Sequence, residues 1–341
     1  MKVLVTAKLP EEVVHKLIRA GCDVDEHAEV RPMAREELLA RVEGVEGLLC
    51  TITDRIDREV LERAPGLRVA ANYGVGFDHI DVAEAGRRGV LVTNTPGVLT
   101  DATADLAFAL ILAVARRVVE GDRRTRCGQF RFWAPLHFLG TEVSGKTLGI
   151  VGFGRIGRAV ARRARGFDMQ VLYTARKPLD EGEEERLGVR FAPLEELLAQ
   201  SDFVSLHVPL TPETRHLIGA RELSLMKPSA YLVNTARGPV VDEKALVEAL
   251  RRGIIRGAGL DVYENEPQLT PGLADLEKVV LLPHVGSATV ETRTRMAEMA
   301  VENLLEGLAG RRPPHCLNWE AVGGKVKGER QKVKGKRGKG L

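Results

Sequence analysis

The sequence predicts an α/β protein built on a doubly wound parallel sheet, and three observations support this prediction. Short apolar runs alternate with helical patterns along most of the 341 residues, which is typical of parallel strands joined by crossover helices. One apolar run, Leu148–Val151, leads through the glycine pattern Gly152-x-Gly154-x-x-Gly157 into a helical segment. The chain is also long enough to bury the cores of two domains.

The first hundred residues alternate between strand and helix patterns. Helices are expected where apolar residues recur at helical spacing, and strands where short apolar runs stand between turns. The predicted strands are Lys2–Thr6, a strand around Val24, Gly47–Cys50 and Leu67–Ala71, and the predicted helices are Glu11–Ala20, Arg35–Val42 and Asp57–Arg63. Gly74 and Gly76 follow the last of these strands, so the loop is either a plain turn or a nest of backbone N–H groups that suits a small carboxylate.

A different pattern follows the first hundred residues. Thr100 is the expected N-cap of a helix that runs to about Glu120. The middle of this helix, Leu106–Ala115, is apolar on every side and should be buried on every side, either in the domain core or at a subunit interface. The next segment, Cys127–Thr141, holds Phe130, Phe132, Trp133 and Phe138. These aromatic residues either pack internally or reach a neighbouring subunit or a substrate site.

The glycine pattern predicts a dinucleotide-binding site. Gly152 permits a tight turn, Gly154 lets a pyrophosphate approach the backbone, and Gly157 lets the helix pack closely on the strand. The N-terminus of that helix offers free N–H groups and the positive end of a dipole to the phosphates.

The second strand of this unit, Gln170–Thr174, lacks the acidic residue that normally binds a ribose 2′-hydroxyl. Thr174 is followed by Ala175, Arg176 and Lys177. Without the acid, nothing repels a 2′-phosphate, and Arg176 and Lys177 can bind one. The sequence therefore predicts NADP as the preferred cofactor, with NAD as the alternative.

Polar residues follow three later strands. Further strands are predicted at Phe203–Val208, Ala230–Asn234, Gly257–Leu260 and Val279–Leu282, with helices at Leu194–Ala199 and Glu243–Arg251. Arg237, Glu266 and His284 come shortly after the last three strands, whose carboxyl ends share one edge of the sheet.

These three side chains form a usable catalytic set, although each taken singly could be a structural residue. Arg237 can bind a carboxylate bidentately and polarise a carbonyl. His284 can give a proton to a carbonyl oxygen while a hydride arrives from a nicotinamide. Glu266 would keep the imidazole protonated near neutral pH.

Composition and charge limit the other classes of function that the chain can have. The longest apolar run is too short to span a bilayer, and we expect no signal peptide. The four cysteines lack CxxC or metal-ligand spacing, so reduced thiols, no metal site and a cytoplasmic location are expected. Residues 324–341 carry eight basic residues against Glu329, whereas the whole chain has a net charge of +3. Residues 321–341 therefore read as a disordered basic tail on a mildly acidic protein, with no other sign of nucleic-acid or membrane binding.

Taken together, the motifs resemble those of the D-isomer-specific 2-hydroxyacid dehydrogenases. The matching segments lie within residues 1–320 and are Tyr73–Asp78, Gly152–Gly157, His207–Thr211, Asn234–Gly238, Gly259–Pro267 and Leu282–Ser287. Within that family the chain is most similar to glyoxylate/hydroxypyruvate reductases, because of Arg176, Lys177 and the segment Trp133–Leu136.

The resemblance implies a domain arrangement and an oligomeric state. A Rossmann-like cofactor domain, residues 99–285, would be inserted into a smaller flavodoxin-like substrate domain, residues 1–98 and 286–320. Hinges near Val98 and Gly286 would let the domains close and exclude water. Family members are homodimers joined through their cofactor domains, so a second subunit would cover the helix after Thr100, and Trp133 would reach the active site of that subunit.

The resemblance also implies residue roles. Arg237 would bind and orient the substrate, Glu266 would tune the acid, and His284 would be the acid/base that also contacts the substrate. The backbone of Val75 and Gly76 would hold the substrate carboxylate. The cofactor would contact Gly152, Gly154, Arg155, Ile156, Gly157, Thr174, Arg176, Lys177, Val208, Pro209, Thr235, Ala236, Asp261 (near the nicotinamide) and Gly286.

The function that these expectations favour is NAD(P)H-dependent reduction of glyoxylate or hydroxypyruvate to glycolate or D-glycerate. An alternative within the family is an NAD-dependent D-3-phosphoglycerate dehydrogenase, which the missing acid after Thr174 disfavours. A corepressor-like protein that binds NAD(H) and recruits peptides is an alternative of another class. A nucleic-acid binder acting through the basic tail is the third, and it would show salt-sensitive retention on DNA.

Overall fold

The computed structural model describes residues 1–322, which form two compact units. One unit is Met1–Val98 with the chain from Thr289 onward, and the other is Leu99–Ala288. The latter extends past residue 285 because Asp261 accepts hydrogen bonds from the N–H groups of Val285 and Gly286. Val322 is buried in the core of the first unit, so the packed chain continues past residue 320. The rest of the expected basic tail lies outside the described residues.

The first unit is a five-stranded parallel sheet with helices on both faces. Its strands are β1 (Lys2–Val5), β2 (Asp23–Glu26), β3 (Gly47–Cys50), β4 (Val69–Asn72) and β5 (Leu91–Thr93). Its helices are α1 (Glu11–Arg19), α2 (Arg35–Arg41), α3 (Arg58–Arg63), α4 (Val82–Arg88) and α12 (Val290–Leu308). The strand order β2-β1-β3-β4-β5 is the flavodoxin-like order. Alternate strand residues enter different cores, with Val3 and Val5 in one and Leu4 in the other.

The second unit is a seven-stranded parallel sheet. Its strands are β6 (Thr147–Val151), β7 (Gln170–Thr174), β8 (Val189–Phe191), β9 (Phe203–Leu206), β10 (Tyr231–Asn234), β11 (Gly257–Leu260) and β12 (Val279–Leu281). Its helices are α5 (Thr100–Ala115), α6 (Val118–Arg126), α7 (Arg155–Ala164), α8 (Glu181–Leu187), α9 (Leu194–Gln200), α10 (Ala220–Leu225) and α11 (Glu243–Arg252).

The order of this sheet is β12-β11-β10-β9-β6-β7-β8. The order reverses where β6 lies next to β9, and in doubly wound sheets a ligand binds at the carboxyl ends of the strands beside such a switch point. The predicted α/β class with doubly wound parallel sheets is therefore confirmed.

The long helix expected after Thr100 is interrupted. Its N-cap is Leu99 rather than Thr100, and α5 ends at Ala115. Arg117 follows with a left-handed φ of 56°, and the carbonyl of Ala115 accepts a hydrogen bond from the N–H of Thr141 at 2.8 Å. Because a long-range partner takes that carbonyl, the chain turns and restarts as α6.

The apolar middle of α5 is not buried on every side of this single chain. Ala109 is exposed, and Leu106, Leu112 and Ala113 are only half-buried. Of the two expected sources of burial, the domain core alone does not cover every side of this segment.

The elements predicted from the sequence do not include α4, β5, α8, β8 and α10. The helix α8, Glu181–Leu187, is polar on every side and has no buried residue, so no apolar periodicity marks it. The strand β8 has only three residues. Within residues 1–322 no helix is both long and apolar enough to cross a membrane.

Candidate active site

The glycine loop between β6 and α7 is shaped for close approach of backbone and ligand. Gly152 has a φ of 94°, and a Cβ there would lie 2.7 Å from the carbonyl oxygen of His207. A Cβ on Gly157 would overlap the carbonyl oxygen of Gly152, whereas a Cβ on Gly154 would meet no atom within 4 Å. Gly152 and Gly157 are thus required for packing, while Gly154 leaves open space over the backbone.

The N-terminus of α7 presents donors beside this open space. The first hydrogen bond of the helix runs from the N–H of Arg158 to the carbonyl of Gly154 at 3.0 Å. Within residues 1–322, the N–H groups of Arg155, Ile156 and Gly157 have no acceptor. They have the arrangement in which helix N-termini bind phosphate groups.

The end of β7 carries cationic residues in place of an acid. The carbonyl of Thr174 accepts the N–H of Gly152 at 3.0 Å, which joins the strand end to the glycine loop. Arg176 and Lys177 are exposed directly beyond it. Glu213, which sequence reasoning missed, lies within electrostatic reach, since its pKa is lowered by the Thr211 hydroxyl and further by the charge of Arg176.

The turn after β10 is held by an asparagine. The side chain of Asn234 accepts the N–H of Ala236 at 3.0 Å and donates to the carbonyl of Arg237 at 2.9 Å. A Cβ on Gly238 would overlap the backbone of Tyr263. The turn that carries Arg237 therefore packs directly against the loop after β11. Asn at the end of a strand is a recognisable turn signal, so the sequence could have revealed Asn234.

The loop after β11 is joined to the loop after β12 by a buried carboxylate. Asp261 accepts the N–H of Val285 at 2.7 Å and the N–H of Gly286 at 2.8 Å. Burial raises the pKa of Asp261, and these two N–H donors only partly oppose that effect. Asp261 thus fixes the backbone on the C-terminal side of His284.

Glu266 and His284 form a hydrogen-bonded pair. Nδ1 of His284 donates to Oε2 of Glu266 at 2.8 Å, and the N–H of Tyr263 donates to Oε1 at 2.9 Å. Burial raises the pKa of Glu266, but the bond from His284 and its charge, the Tyr263 N–H and the charge of Arg237 together hold that pKa below its ordinary value. Both side chains remain about a third exposed, at 33% and 31%, so they are open to a ligand.

Tyr263 and Glu243 support this pair, and sequence reasoning missed both. The Tyr263 hydroxyl donates to the carbonyl of Leu282 at 2.7 Å, and burial raises its pKa to about 12. Glu243, which is buried, accepts the N–H of Glu264 at 2.7 Å and the hydroxyl of Thr270 at 2.6 Å. No local pattern in the sequence marks either contact.

The remaining expected cofactor residues lie at the carboxyl ends of strands in the same sheet. Val208 and Pro209 follow β9, and Thr235 and Ala236 follow β10. In the part of the chain that the structure describes, Oγ1 of Thr235 is buried without a hydrogen-bond partner. Burial lowers the pKa of His207, which directly precedes Val208, to about 3, so the His207 ring is neutral.

Val75 and Gly76 belong to the first unit. They lie in the loop after β4 and are half-buried. Their N–H groups find no acceptor among residues 1–322. No group of three or more His, Cys, Asp or Glu side chains that could hold a metal ion occurs in the described chain.

The second unit therefore combines a glycine loop beside a helix N-terminus with Arg237, Glu266 and His284 at the carboxyl ends of its strands. Such a fold and site define an NAD(P)-dependent dehydrogenase.

Comparisons with known proteins identify the family. Residues 108–286 match the family model described as "D-isomer specific 2-hydroxyacid dehydrogenase, NAD binding domain". The glyoxylate reductase of Thermococcus litoralis is 52% identical over 325 residues, which are 94% of this chain and 98% of the relative. The chain belongs to the D-isomer-specific 2-hydroxyacid dehydrogenases, as its motifs indicate.

Two solved structures are similar over nearly the whole chain. The TT0316 protein of Thermus thermophilus superposes with a TM-score of 0.87 at 53% identity, covering 93% of this chain and 100% of that one. An NADPH-dependent glyoxylate/hydroxypyruvate reductase of Sinorhizobium meliloti, in complex with NADP and malonate, has a TM-score of 0.80 at 32% identity and covers 94% and 97%.

Proposed function

We propose that this protein is an NADPH-preferring reductase of glyoxylate and hydroxypyruvate that forms glycolate and D-glycerate. The observation that carries the proposal is the His284–Glu266 pair, with Nδ1 2.8 Å from Oε2, at the same sheet edge as a dinucleotide loop. The names of the relatives support the choice of substrate.

The residues around the glycine loop fit a dinucleotide. The open space over Gly154 suits a pyrophosphate, and so do the N–H groups of Arg155, Ile156 and Gly157, which have no acceptor within residues 1–322. Arg176 and Lys177 would bind a 2′-phosphate, as two exposed cations directly after β7. The hydroxyl of Thr235 has no hydrogen-bond partner among the described residues, which supports a contact with the cofactor. We assign Thr174, Val208, Pro209, Ala236, Asp261 and Gly286 to the same site. When bound, the reduced nicotinamide supplies the hydride.

His284 would supply the proton. Its Nδ1 is committed to Glu266, so Nε2 is the nitrogen that gives a proton to the carbonyl oxygen of the substrate as the carbonyl carbon accepts the hydride. The carbonyl becomes a hydroxyl, and the imidazole recovers its proton from solvent. Glu266 stabilises the protonated ring, and because both its oxygens are bonded it also holds the ring in one orientation.

Arg237 and the loop at Val75 and Gly76 would hold the substrate. The guanidinium of Arg237 is half-buried, and its planar fork can bind a carboxylate and polarise the adjacent carbonyl. The N–H groups of Val75 and Gly76, without acceptors within residues 1–322, would bind the substrate carboxylate. In this proposal the discontinuous unit is the substrate domain and the inserted unit is the cofactor domain.

We also propose that the protein is a homodimer joined through the inserted unit. The segment from α6 to Gly140 exposes large apolar side chains that a single chain leaves in water. They are Val118, Val119, Phe130, Phe132, Trp133, Leu136 and Leu139. The incompletely buried face of α5 belongs to the same unit, and a second subunit would cover both.

Initial rates for a panel of 2-keto acids, each with NADPH and with NADH, test the proposed function. We expect turnover of glyoxylate and hydroxypyruvate with a higher kcat/KM for NADPH. Phosphohydroxypyruvate with NADH as the preferred pair would identify a phosphoglycerate dehydrogenase instead. Absence of turnover with every keto acid would overturn the assignment.

A further inference from the structure

The loop after β4 turns three successive backbone carbonyls toward buried amide groups. The side-chain amide of Asn72 donates to the carbonyl of Gly74 at 3.1 Å and to that of Gly76 at 2.8 Å. The side-chain amide of Asn94 donates to the carbonyl of Val75 at 2.8 Å. The N–H of Thr95 gives the Gly74 carbonyl a second bond, at 2.9 Å.

These bonds also determine where the N–H groups of the loop point. In a trans peptide the carbonyl of one residue and the N–H of the next lie in one plane and point in opposite directions. Holding the carbonyls of residues 74, 75 and 76 inward therefore directs the N–H groups of Val75, Gly76 and Phe77 away from the asparagines. None of these three N–H groups has an acceptor within residues 1–322.

The two asparagines are placed as fixed parts of the first unit. Asn72 ends β4 and is 0% exposed, and Asn94 follows β5 and is 7% exposed. Asn303 of α12 donates to the backbone carbonyl of Asn94 at 3.1 Å, so the helix holds the residue that holds the loop. A buried amide that donates to a carbonyl is costly to remove, because the carbonyl is then left without a partner.

We propose that Asn72 and Asn94 are positioning residues that keep the loop in its anion-binding orientation, with Phe77 supplying a third N–H beside those of Val75 and Gly76. The inference rests on the proposed function, in which this loop binds the substrate carboxylate. Rotation of any of these peptide units would replace an N–H by a carbonyl oxygen and so replace attraction for an anion by repulsion. The asparagines contribute to substrate binding without touching the substrate.

The test compares Asn72→Asp and Asn94→Asp with Asn318→Asp. The aspartate is close in size to asparagine but cannot donate, so it repels the carbonyl to which the asparagine donated. Asn318 is a matched control because it is also buried and donates to a carbonyl of the same unit, that of Val90 at 2.9 Å, away from the loop. Steady-state kinetics with glyoxylate and NADPH are measured for the wild-type protein and the three variants. The dissociation constant of oxamate, a keto-acid analogue that cannot be reduced by hydride transfer, is measured for the same four proteins.

We expect each loop variant to raise the KM for glyoxylate and the dissociation constant of oxamate about tenfold, with kcat and the KM for NADPH unchanged. We expect a change in KM without a change in kcat because the loop binds the substrate carboxylate equally strongly in the ground state and in the transition state. The Asn318→Asp protein should keep both wild-type values.

Loop variants that match Asn318→Asp would overturn the inference, whereas a wild-type protein that neither reduces glyoxylate nor binds oxamate would overturn the proposed function. Thermal unfolding shows which variants fold. If a buried aspartate prevents folding, Asn72→Ala and Asn94→Ala are compared with Asn318→Ala in the same measurements, with the same expectations.

Discussion

Oε2 of Glu266 accepts a hydrogen bond from Nδ1 of His284 at 2.8 Å, and Oε1 of the same carboxylate is held by the N–H of Tyr263. The carboxylate is therefore fixed on two sides, and the imidazole it orients has Nε2 outside that bond. A second pair of an imidazole and a carboxylate involves the same loop after β11, since Nε2 of His216 donates to Glu264 at 2.7 Å. Variants of the two pairs can therefore be compared directly: Glu266 is proposed to orient the catalytic imidazole, whereas Glu264 has no proposed part in the reaction.

Replacing Glu266 by Gln should lower kcat without weakening the binding of the cofactor. A glutamine keeps the size of the side chain but loses the charge that stabilises the protonated ring, and we expect kcat to fall roughly 10–100-fold. Steady-state kinetics with saturating NADPH and glyoxylate measure the effect. Glu264→Gln, which removes the charge from the neighbouring pair, should retain kcat. Equal kcat values for the two variants would contradict the role of Glu266.

Gly154 should be replaceable without loss of stability but not without loss of cofactor binding. A Cβ at Gly154 meets no protein atom within 4 Å, so Gly154→Ala should fold with an unchanged Tm. The methyl group would stand where a pyrophosphate approaches the backbone, so the dissociation constant of NADPH should rise at least about tenfold. Gly166→Ala is a matched control, since a Cβ there also meets nothing within 4 Å. Unchanged NADPH binding in both variants would count against the site.

The two cations after β7 should set the choice of cofactor. The double substitution Arg176→Ala, Lys177→Ala removes both charges that could bind a 2′-phosphate, and we expect the KM for NADPH to rise about 10–100-fold while that for NADH changes little. The double substitution Lys244→Ala, Arg252→Ala removes two exposed cations of α11 in the same unit and so controls for the change in net charge. An equal rise in KM for both cofactors would show that these residues do not bind the 2′-phosphate.

The pKa of Glu266 predicts a pH-dependent contribution to stability. Burial raises this pKa, but His284, the Tyr263 N–H and Arg237 together hold it below its value in the unfolded chain. The stabilisation is therefore present above the unfolded pKa and is lost as the pH falls through the lowered folded pKa. Urea unfolding of wild-type protein and Glu266→Gln, from about pH 6 to about pH 3, should show a free-energy difference that shrinks on acidification. A difference that stays constant over this range would contradict the prediction.

The apolar segment after α6 should hold two subunits together. Leu136 is 86% exposed in the single chain, so Leu136→Asp should fold normally but place a charge in the proposed interface, where it would be costly to desolvate. Light scattering after size exclusion should give a dimer for the wild-type protein and a monomer for the variant. Val30→Asp, at a residue that is 95% exposed in the other unit, should remain dimeric. A wild-type monomer would overturn the proposed dimer.

The sequence by itself determined the features that depend on neighbouring residues. The glycine pattern at residues 152–157, the absence of an acid after Thr174 and the polar residues at the strand ends are all local, so they can be read without a fold. Parallel strands share one carboxyl edge, and for that reason Arg237, Glu266 and His284 could be expected near one another before their contacts were known.

The tertiary structure alone decided which long-range partners complete these features. The bonds of Tyr263 to Leu282 and of Asn94 to the carbonyl of Val75 each join the ends of two neighbouring strands across 19 residues of chain. The break after Ala115 likewise arises because the distant Thr141 takes its carbonyl. A single buried hydrogen bond leaves no periodicity in the sequence, because its two partners meet only when the sheets have formed.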